Sequence, residues 1–427
     1  MVTEQMSITP SRWTAIRFAL RRRNYRLFVA GQLVSLIGTW TQSVALAWLV
    51  YRLTGSALWL GIVTVCQQVP IVFLASLGGS LADRHRRRTI LIGTQSAAML
   101  LAFALAGLVL GGEVRLAHIL VIAMLSGIVS AIDIPTRQSF VVEMVGRESL
   151  MAAVAINSSM AMCAGSLGPV MAGIGVKALG EGWCFFANGV SFLAVIAGLL
   201  AMRDLPEPSS GRAVEPLAHR LAAGFRFVRE EPHVRALLVL LAVTAFAGLP
   251  YGTLMPVFAS DVFHGDARIL GALTTATGLG ALVGAATLAL RSSGNAHRWI
   301  GAACGTLGVA LVGFSFSRSL WLSLAILVPM GAATMIQVSA TNTLIQTFTP
   351  DALRGRVMAI WAMILMGFAP LGALVASSLA TRVGTTIPLA LGGAVCMLGA
   401  WRFARWSRAS QLARPNAVPS EARAAPR

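Results

Sequence analysis

The side chains with chemistry to offer in this 427-residue chain are spaced for ion pairing rather than for bond breaking. Asp83 stands at the head of Arg84-His85-Arg86-Arg87-Arg88, so one carboxylate faces four guanidinium groups and an imidazole. Further on, Asp133 precedes Arg137 by one helical turn, a spacing at which the two pair on a helix surface. Catalytic constellations are missing. There is no G-x-S-x-G nucleophile elbow and no H-E-x-x-H, and the six histidines are scattered. The five cysteines, Cys66, Cys163, Cys184, Cys304 and Cys396, form no C-x-x-C and read as buried free thiols, not as a metal or disulfide framework. A phosphate-binding G-x-x-x-x-G-K-[ST] loop needs a lysine, and the only one, Lys177, is followed by Ala178.

The elements that must position these charges are membrane spans. The chain is 56% hydrophobic and 12% charged, with mean hydropathy +0.75; soluble domains carry about 25% charged residues. Apolar runs recur at 27–51, 59–82, 89–111, 117–142, 150–176 and 183–202, then at 236–263, 269–290, 299–317, 320–346, 357–381 and 385–404. Each approaches or exceeds the roughly 20 residues that cross a bilayer as helix. The reading is an all-α protein with twelve transmembrane helices in two sets of six. Its net charge of +18 lies between the runs and not on one basic domain, which argues against nucleic acid. With both termini inside, 28 of the 34 basic residues fall in inner segments. The other six, Arg52, Arg115, Lys177, Arg268, Arg318 and Arg382, fall outside, and that asymmetry predicts cytoplasmic termini.

The domain plan follows. Residues 1–26 are a basic cytoplasmic segment in which Trp13, Ile16 and Leu20 suit a short interfacial helix, and which lacks the features of a cleaved signal peptide. Residues 27–202 and 236–404 are six-helix bundles. The linker 203–235 pairs a flexible Asp204–Gly211 stretch with an amphipathic helix (Leu217, Leu221, Phe225 and Val228 opposite Arg220, Arg226 and Arg229). Residues 405–427 form a disordered basic tail. The halves repeat weakly: Leu58-Trp59-Leu60-Gly61 is similar to Ile269-Leu270-Gly271, and Gly168-Pro169 to Ala369-Pro370. Arg147–Ala152 is similar to Arg354–Ala359, but Arg291–Asn295 carries no counterpart of Asp83.

Polar residues at span depth are few: Trp40, Gln42, Gln67, Gln68, Asn157, Tyr251, Thr275, Gln337, Asn342 and Trp361. An amide buried there needs partners, which a neighbouring helix or a ligand can supply. No carboxylate sits at the centre of a span; Asp133, Glu143 and Asp261 are all near ends.

The stretch Gly79-Ser80-Leu81-Ala82-Asp83-Arg84-His85-Arg86-Arg87-Arg88-Thr89-Ile90-Leu91 resembles the signature between the second and third spans of the major facilitator superfamily, with Arg86 in place of its second glycine. Ala164–Gly173 resembles that superfamily's exporter motif, keeping Gly168, Pro169 and Gly173 with Gly165 alongside, and with alanine at two of the four motif glycines. Arg23–Phe28, Gly31–Trp40 and Trp48–Ser56 are similar to the branch of enterobactin-type siderophore exporters and macrolide efflux proteins.

The resemblance implies export of a small amphipathic molecule across the bacterial inner membrane by alternating access with proton antiport. Its partners would be the small-molecule substrate, a proton and the lipid bilayer, with a monomeric chain and no cofactor, metal or enzymatic activity. It implies a gate of Gly79, Asp83, Arg84, Arg87, Arg88, Asp133 and Arg137, with a charge relay linking Asp83, Arg87 and Asp133, and Asp83 capping the helix near Val357. Asp133 equally suits a plain interfacial salt bridge. The first, fourth, seventh and tenth spans would line the cavity, favouring Trp40, Gln42, Tyr251 and Gln337. A lining of amides, aromatics and methionines suits a bulky, partly apolar ligand. A transport-inactive sensor or scaffold and a transporter of lipid-like metabolites are the competing readings.

Overall fold

The computed structural model describes residues 22–146, 149–203, 217–290 and 296–409, the side chains of residues 151, 217–221 and 296 excepted. The interfacial helix expected before residue 22, the 204–216 stretch, Arg147-Glu148, the 291–295 loop and the tail from residue 410 lie outside the described residues.

Thirteen helices are described: α1 (Arg23–Thr54), α2 (Ala57–Arg84), α3 (Arg87–Leu110), α4 (Leu116–Val145), α5 (Leu150–Leu179), α6 (Glu181–Leu200), α7 (Leu217–Glu230), α8 (Pro232–Val262), α9 (Ala267–Leu290), α10 (Ala296–Phe316), α11 (Leu320–Phe348), α12 (Asp351–Val383) and α13 (Thr386–Ala409). All but α7 are long and apolar enough to cross a membrane, twelve in number, as the apolar runs predict. Large apolar side chains such as Phe73, Leu77 and Trp321 point outward, the arrangement of a surface solvated by lipid. Tight turns join the spans. Gly55 ends α1 at φ 59° and Gly180 separates α5 from α6 at φ 88°, left-handed values that a side chain would resist.

Two compact units emerge from the residue contacts: Met1–Glu215 with Met255–Thr275, and Pro216–Leu254 with Ala276–Arg427. In the first, α2 packs on α4, α1 on α5 and α6, and α3 on α4 and α6. Carbonyl-to-glycine contacts set the closest approaches: Gly78 abuts Ala131 and Gly127 abuts Gln67 across α2 and α4. The core cluster sits at the face carrying the α2–α3 loop. There Tyr25 and Phe28 of α1 meet Leu91 of α3, Phe140 and Met144 of α4, Ala153 of α5 and Leu199 of α6. Phe28 and Phe140 pack edge to face at 6.1 Å.

In the second unit α10 packs on α11 and α13, and the linker helix α7 lies on α12 with Gly224 against Arg356 and Ile360. Helix α8, whose residues from Met255 onward belong to the first unit, has π-helical turns at Thr244–Gly248 and, as its last five residues, at Phe258–Val262. Pro250 accounts for the first: it lacks an N–H and crowds the carbonyl four residues back, so the ladder slips by one residue. The Leu249 N–H accordingly donates to Thr244 O, and the Phe263 N–H to Phe258 O.

Candidate functional site

Only His85 and Arg86 separate α2 from α3, so the last turn of one helix and the first turn of the next present their charges together. Arg87 takes two carboxylates. Its Nη1 lies 2.8 Å from Glu143 Oε2 on α4, and its Nη2 lies 3.7 Å from Asp83 Oδ1. The side chains of Arg87 and Glu143 are 20% and 14% exposed, whereas Asp83 is 46% exposed. The tight, half-buried pair is therefore Arg87–Glu143, and Asp83 is the looser, wetter partner. Arg88 donates to Leu200 O at 2.9 Å and Arg22 to Met144 O at 2.9 Å, tying the loop face to α6 and α1. Arg84 is exposed. A Cβ on Gly79 would meet nothing within 4 Å; the neighbouring Gly78 makes the helix contact.

Asp133 stands apart from this loop group. It is buried, and its Oδ1 accepts from Thr94 Oγ1 at 2.9 Å and Gln95 Nε2 at 2.8 Å, both on α3, while Arg137 Nε lies 3.7 Å from Oδ2. These three partners offset the cost of burying the charge. The relay expected among Asp83, Arg87 and Asp133 is thus replaced in this structure by two groups seven residues apart on α3, about 10 Å along its axis. Glu143, Thr94 and Gln95 are the members that sequence reasoning missed. Glu143 carried a usable signal: it lies ten residues beyond Asp133 on one helix, about 15 Å closer to the loop.

The α5 glycines pack on α1 and on α9. A Cβ on Gly165 would lie 3.7 Å from the Trp40 ring, Gly168 abuts Trp40, and Gly168 O accepts from Thr41 Oγ1 at 3.2 Å. Gly173 and Pro169 O meet Gly271 on the first turns of α9. Beside them Lys177 Nζ lies 3.1 Å from Asp266 Oδ2, and Tyr51 donates to Asp261 Oδ2 at 2.6 Å, all within the first unit. Burial pushes the Asp266 carboxyl up, but bonds from Arg268 and Lys177 outweigh it and hold the group at about 2.

The polar residues expected to line a cavity divide by partner. Gln42 Oε1 accepts from Asn188 Nδ2 at 2.7 Å, a contact between α1 and α6, and Asn342 accepts from Gln346 within α11 at 2.7 Å. Gln67, Gln68 and Asn157 are half-exposed, and Trp40 is 43% exposed. Tyr251 is buried beside Thr334. Gln337 is fully buried with neither amide atom hydrogen-bonded, and Thr341 Oγ1 and Trp361 Nε1 are likewise buried without a partner. An unmet buried polar group costs about 1–3 kcal/mol, so this set is not neutral packing.

Twelve apolar helices, a charged turn between the second and third of them, and a glycine-proline turn packed in the fifth define a membrane transporter of the major facilitator type. Residues 15–424 match the profile of the transmembrane secretion effector family, and the chain belongs to that family. It is 26% identical over 364 residues to the staphyloferrin A transporter of Staphylococcus aureus, spanning 84% of this chain and 90% of that one. It is 27% identical to the enterobactin exporter EntS of Shigella boydii over 75% and 73% of the two chains. Against the multidrug efflux pump Tap of Mycolicibacterium fortuitum it is 26% identical over 83% and 90%. The fold matches that of the peptide transporter PepTSo, at a TM-score of 0.69 with 12% identity, covering 92% of this chain and 99% of that one. A bacterial homologue of ferroportin matches at 0.67 with 16% identity, over 91% and 99%. The protein is a multi-pass protein of the bacterial inner membrane.

Proposed function

We propose that the protein exports a small amphipathic molecule, drug-like or siderophore-like, by alternating access coupled to proton entry. The observation that carries the reading is the likeness, over most of the chain, to a siderophore exporter and a multidrug pump together. The distribution of basic residues supports a cytoplasmic loop face. On that face Asp83, Arg87 and Glu143 form the gate, with Arg84, Arg88 and Gly79 around them, while Asp133 with Arg137 is the carboxylate placed to take a proton. Gly165, Gly168, Pro169 and Gly173 seat α5 against α1 and α9, and the half-exposed Trp40, Gln67, Gln68 and Asn157 face the substrate. One inward charge at roughly 150 mV is worth about 3.5 kcal/mol, enough for roughly a 300-fold gradient.

The test is efflux of fluorescent amphipathic compounds from loaded cells, with and without a protonophore. Export should collapse with the protonophore. In Asp83→Asn it should be lost while the protein stays in the membrane. Export indifferent to the protonophore would remove the proton, and normal efflux by the variant would remove the gate.

A further inference from the structure

The internal repeat carries an inference about what the second unit binds. Its register is fixed by packing. Gly127, the twelfth residue of α4, abuts the carbonyl of Gln67, the eleventh of α2. Gly331, the twelfth residue of α11, abuts the carbonyl of Thr277, the eleventh of α9. In that register Ser130-Ala131-Ile132-Asp133 falls on Thr334-Met335-Ile336-Gln337, and Arg137 falls on Thr341. On the third span of each half, where no such contact sets the register, the shared Ile-Gly pair aligns Ile92-Gly93-Thr94-Gln95 with Ile300-Gly301-Ala302-Ala303.

The two copies have diverged in one consistent way. In the first, a carboxylate is met by Thr94, Gln95 and Arg137. In the second, an amide and a hydroxyl occupy the carboxylate and arginine positions, and alanines have replaced both α3-type donors. Gln337 and Thr341 are consequently fully buried with no hydrogen-bond partner for either amide atom or the hydroxyl. Trp361 Nε1 on the neighbouring α12 is in the same condition. Gln337 lies eleven residues before the end of α11 and Trp361 ten after the start of α12, about 17 and 15 Å from the same face. A methionine or leucine would fill the Gln337 site with no unmet bond, so an unpartnered amide there points to a partner that comes and goes.

That partner carries no charge at the point of contact. Among the described residues, no Asp, Glu, Lys or Arg lies at 236–254, 276–290, 299–316, 320–348, 357–381 or 386–401 of the second unit. An amide and a hydroxyl each donate and accept, and an indole N–H donates. We infer that Gln337, Thr341 and Trp361 together bind an uncharged polar group of the exported molecule, an ester or amide carbonyl or a hydroxyl, and so set its specificity. The inference rests on the export reading and narrows its substrate class.

Purified full-length protein and the near-isosteric variants Gln337→Met and Thr341→Val decide it. Two probes are used: chloramphenicol, uncharged with amide and hydroxyl groups, and tetraphenylphosphonium, which has no hydrogen-bonding group. Both variants should melt at or above the wild-type temperature. Chloramphenicol affinity should fall at least tenfold while tetraphenylphosphonium affinity stays within twofold. A variant that melts several degrees lower shows that the amide has a structural role, and overturns the inference. Equal loss of both probes overturns it too, as does unchanged chloramphenicol affinity or a wild type that binds only the cation. Failure of the wild type to export in loaded cells would remove the export reading and leave this binding comparison standing.

Discussion

Arg87 serves two carboxylates at unequal distance, and that inequality decides what the loss of each does. The Glu143 bond is short and half-buried, so its removal forfeits a charge-assisted bond worth about 1.5–3 kcal/mol. Asp83 is nearly half exposed at 3.7 Å, where pairs are worth about 0–1 kcal/mol. Glu143→Gln should therefore lower the melting temperature more than Asp83→Asn, although both should cut efflux. A larger drop for Asp83→Asn would reverse the ranking of the two partners. Asp133→Leu should cost about 1–3 kcal/mol more than Asp133→Asn, since leucine strands the Gln95 amide donor and the amide oxygen of asparagine does not, while Thr94 keeps Leu91 O as an acceptor in either variant. Sequence named Asp83, Arg87, Asp133 and Arg137 because charge inside a lipid-facing chain is conspicuous. It passed over Thr94, Gln95, Asn188 and Thr341, because a neutral polar residue in a span looks the same whether it is paired or not.

The spans themselves were legible from apolar length, and their ends fall within six residues of the predicted runs, the widest misses being the start of α12 at Asp351 and the end of α13 at Ala409. What length cannot encode is how closely two helices approach. Gly78 and Gly79 are indistinguishable in the sequence, yet a Cβ on Gly78 would strike the α4 backbone and one on Gly79 would meet open space. The same test applies to the repeat. Gly127→Ala and Gly331→Ala each drive a methyl into a carbonyl of the partner helix, an overpacking that costs about 1–3 kcal/mol. Melting of the purified variants should show a drop of several degrees for each, with Gly79→Ala unchanged in stability whatever its transport. If Gly331→Ala melts like wild type, α9 and α11 are not in the contact that fixes the repeat. The π-helical turns of α8 left no compositional trace beyond Pro250 at the first of them, because a slipped hydrogen-bond ladder needs no special side chain.

At the scale of the whole chain, the two sets of six spans could be read from hydropathy, but not the grouping of Met255–Thr275 with the first unit. That grouping depends on pairs distant in sequence, Tyr51 with Asp261 and Lys177 with Asp266, whose members look like ordinary loop-end residues. The Asp266 tie has a defined pH range. Its carboxyl is held down to about 2 by Arg268 and Lys177 against the opposing effect of burial. A depressed carboxylate stabilises above the ordinary carboxyl range near pH 4 and loses that contribution only as pH falls towards 2. Acidification of the medium to pH 5 therefore leaves Asp266 ionised and the tie intact, so this carboxylate is not the proton carrier of the proposed antiport. The melting difference between wild type and Asp266→Asn should accordingly be constant from pH 8 to pH 5. A difference that shrinks across that interval would mean that Lys177 and Arg268 do not hold the carboxylate in the membrane-embedded protein, and would return Asp266 to the list of groups that a proton could switch.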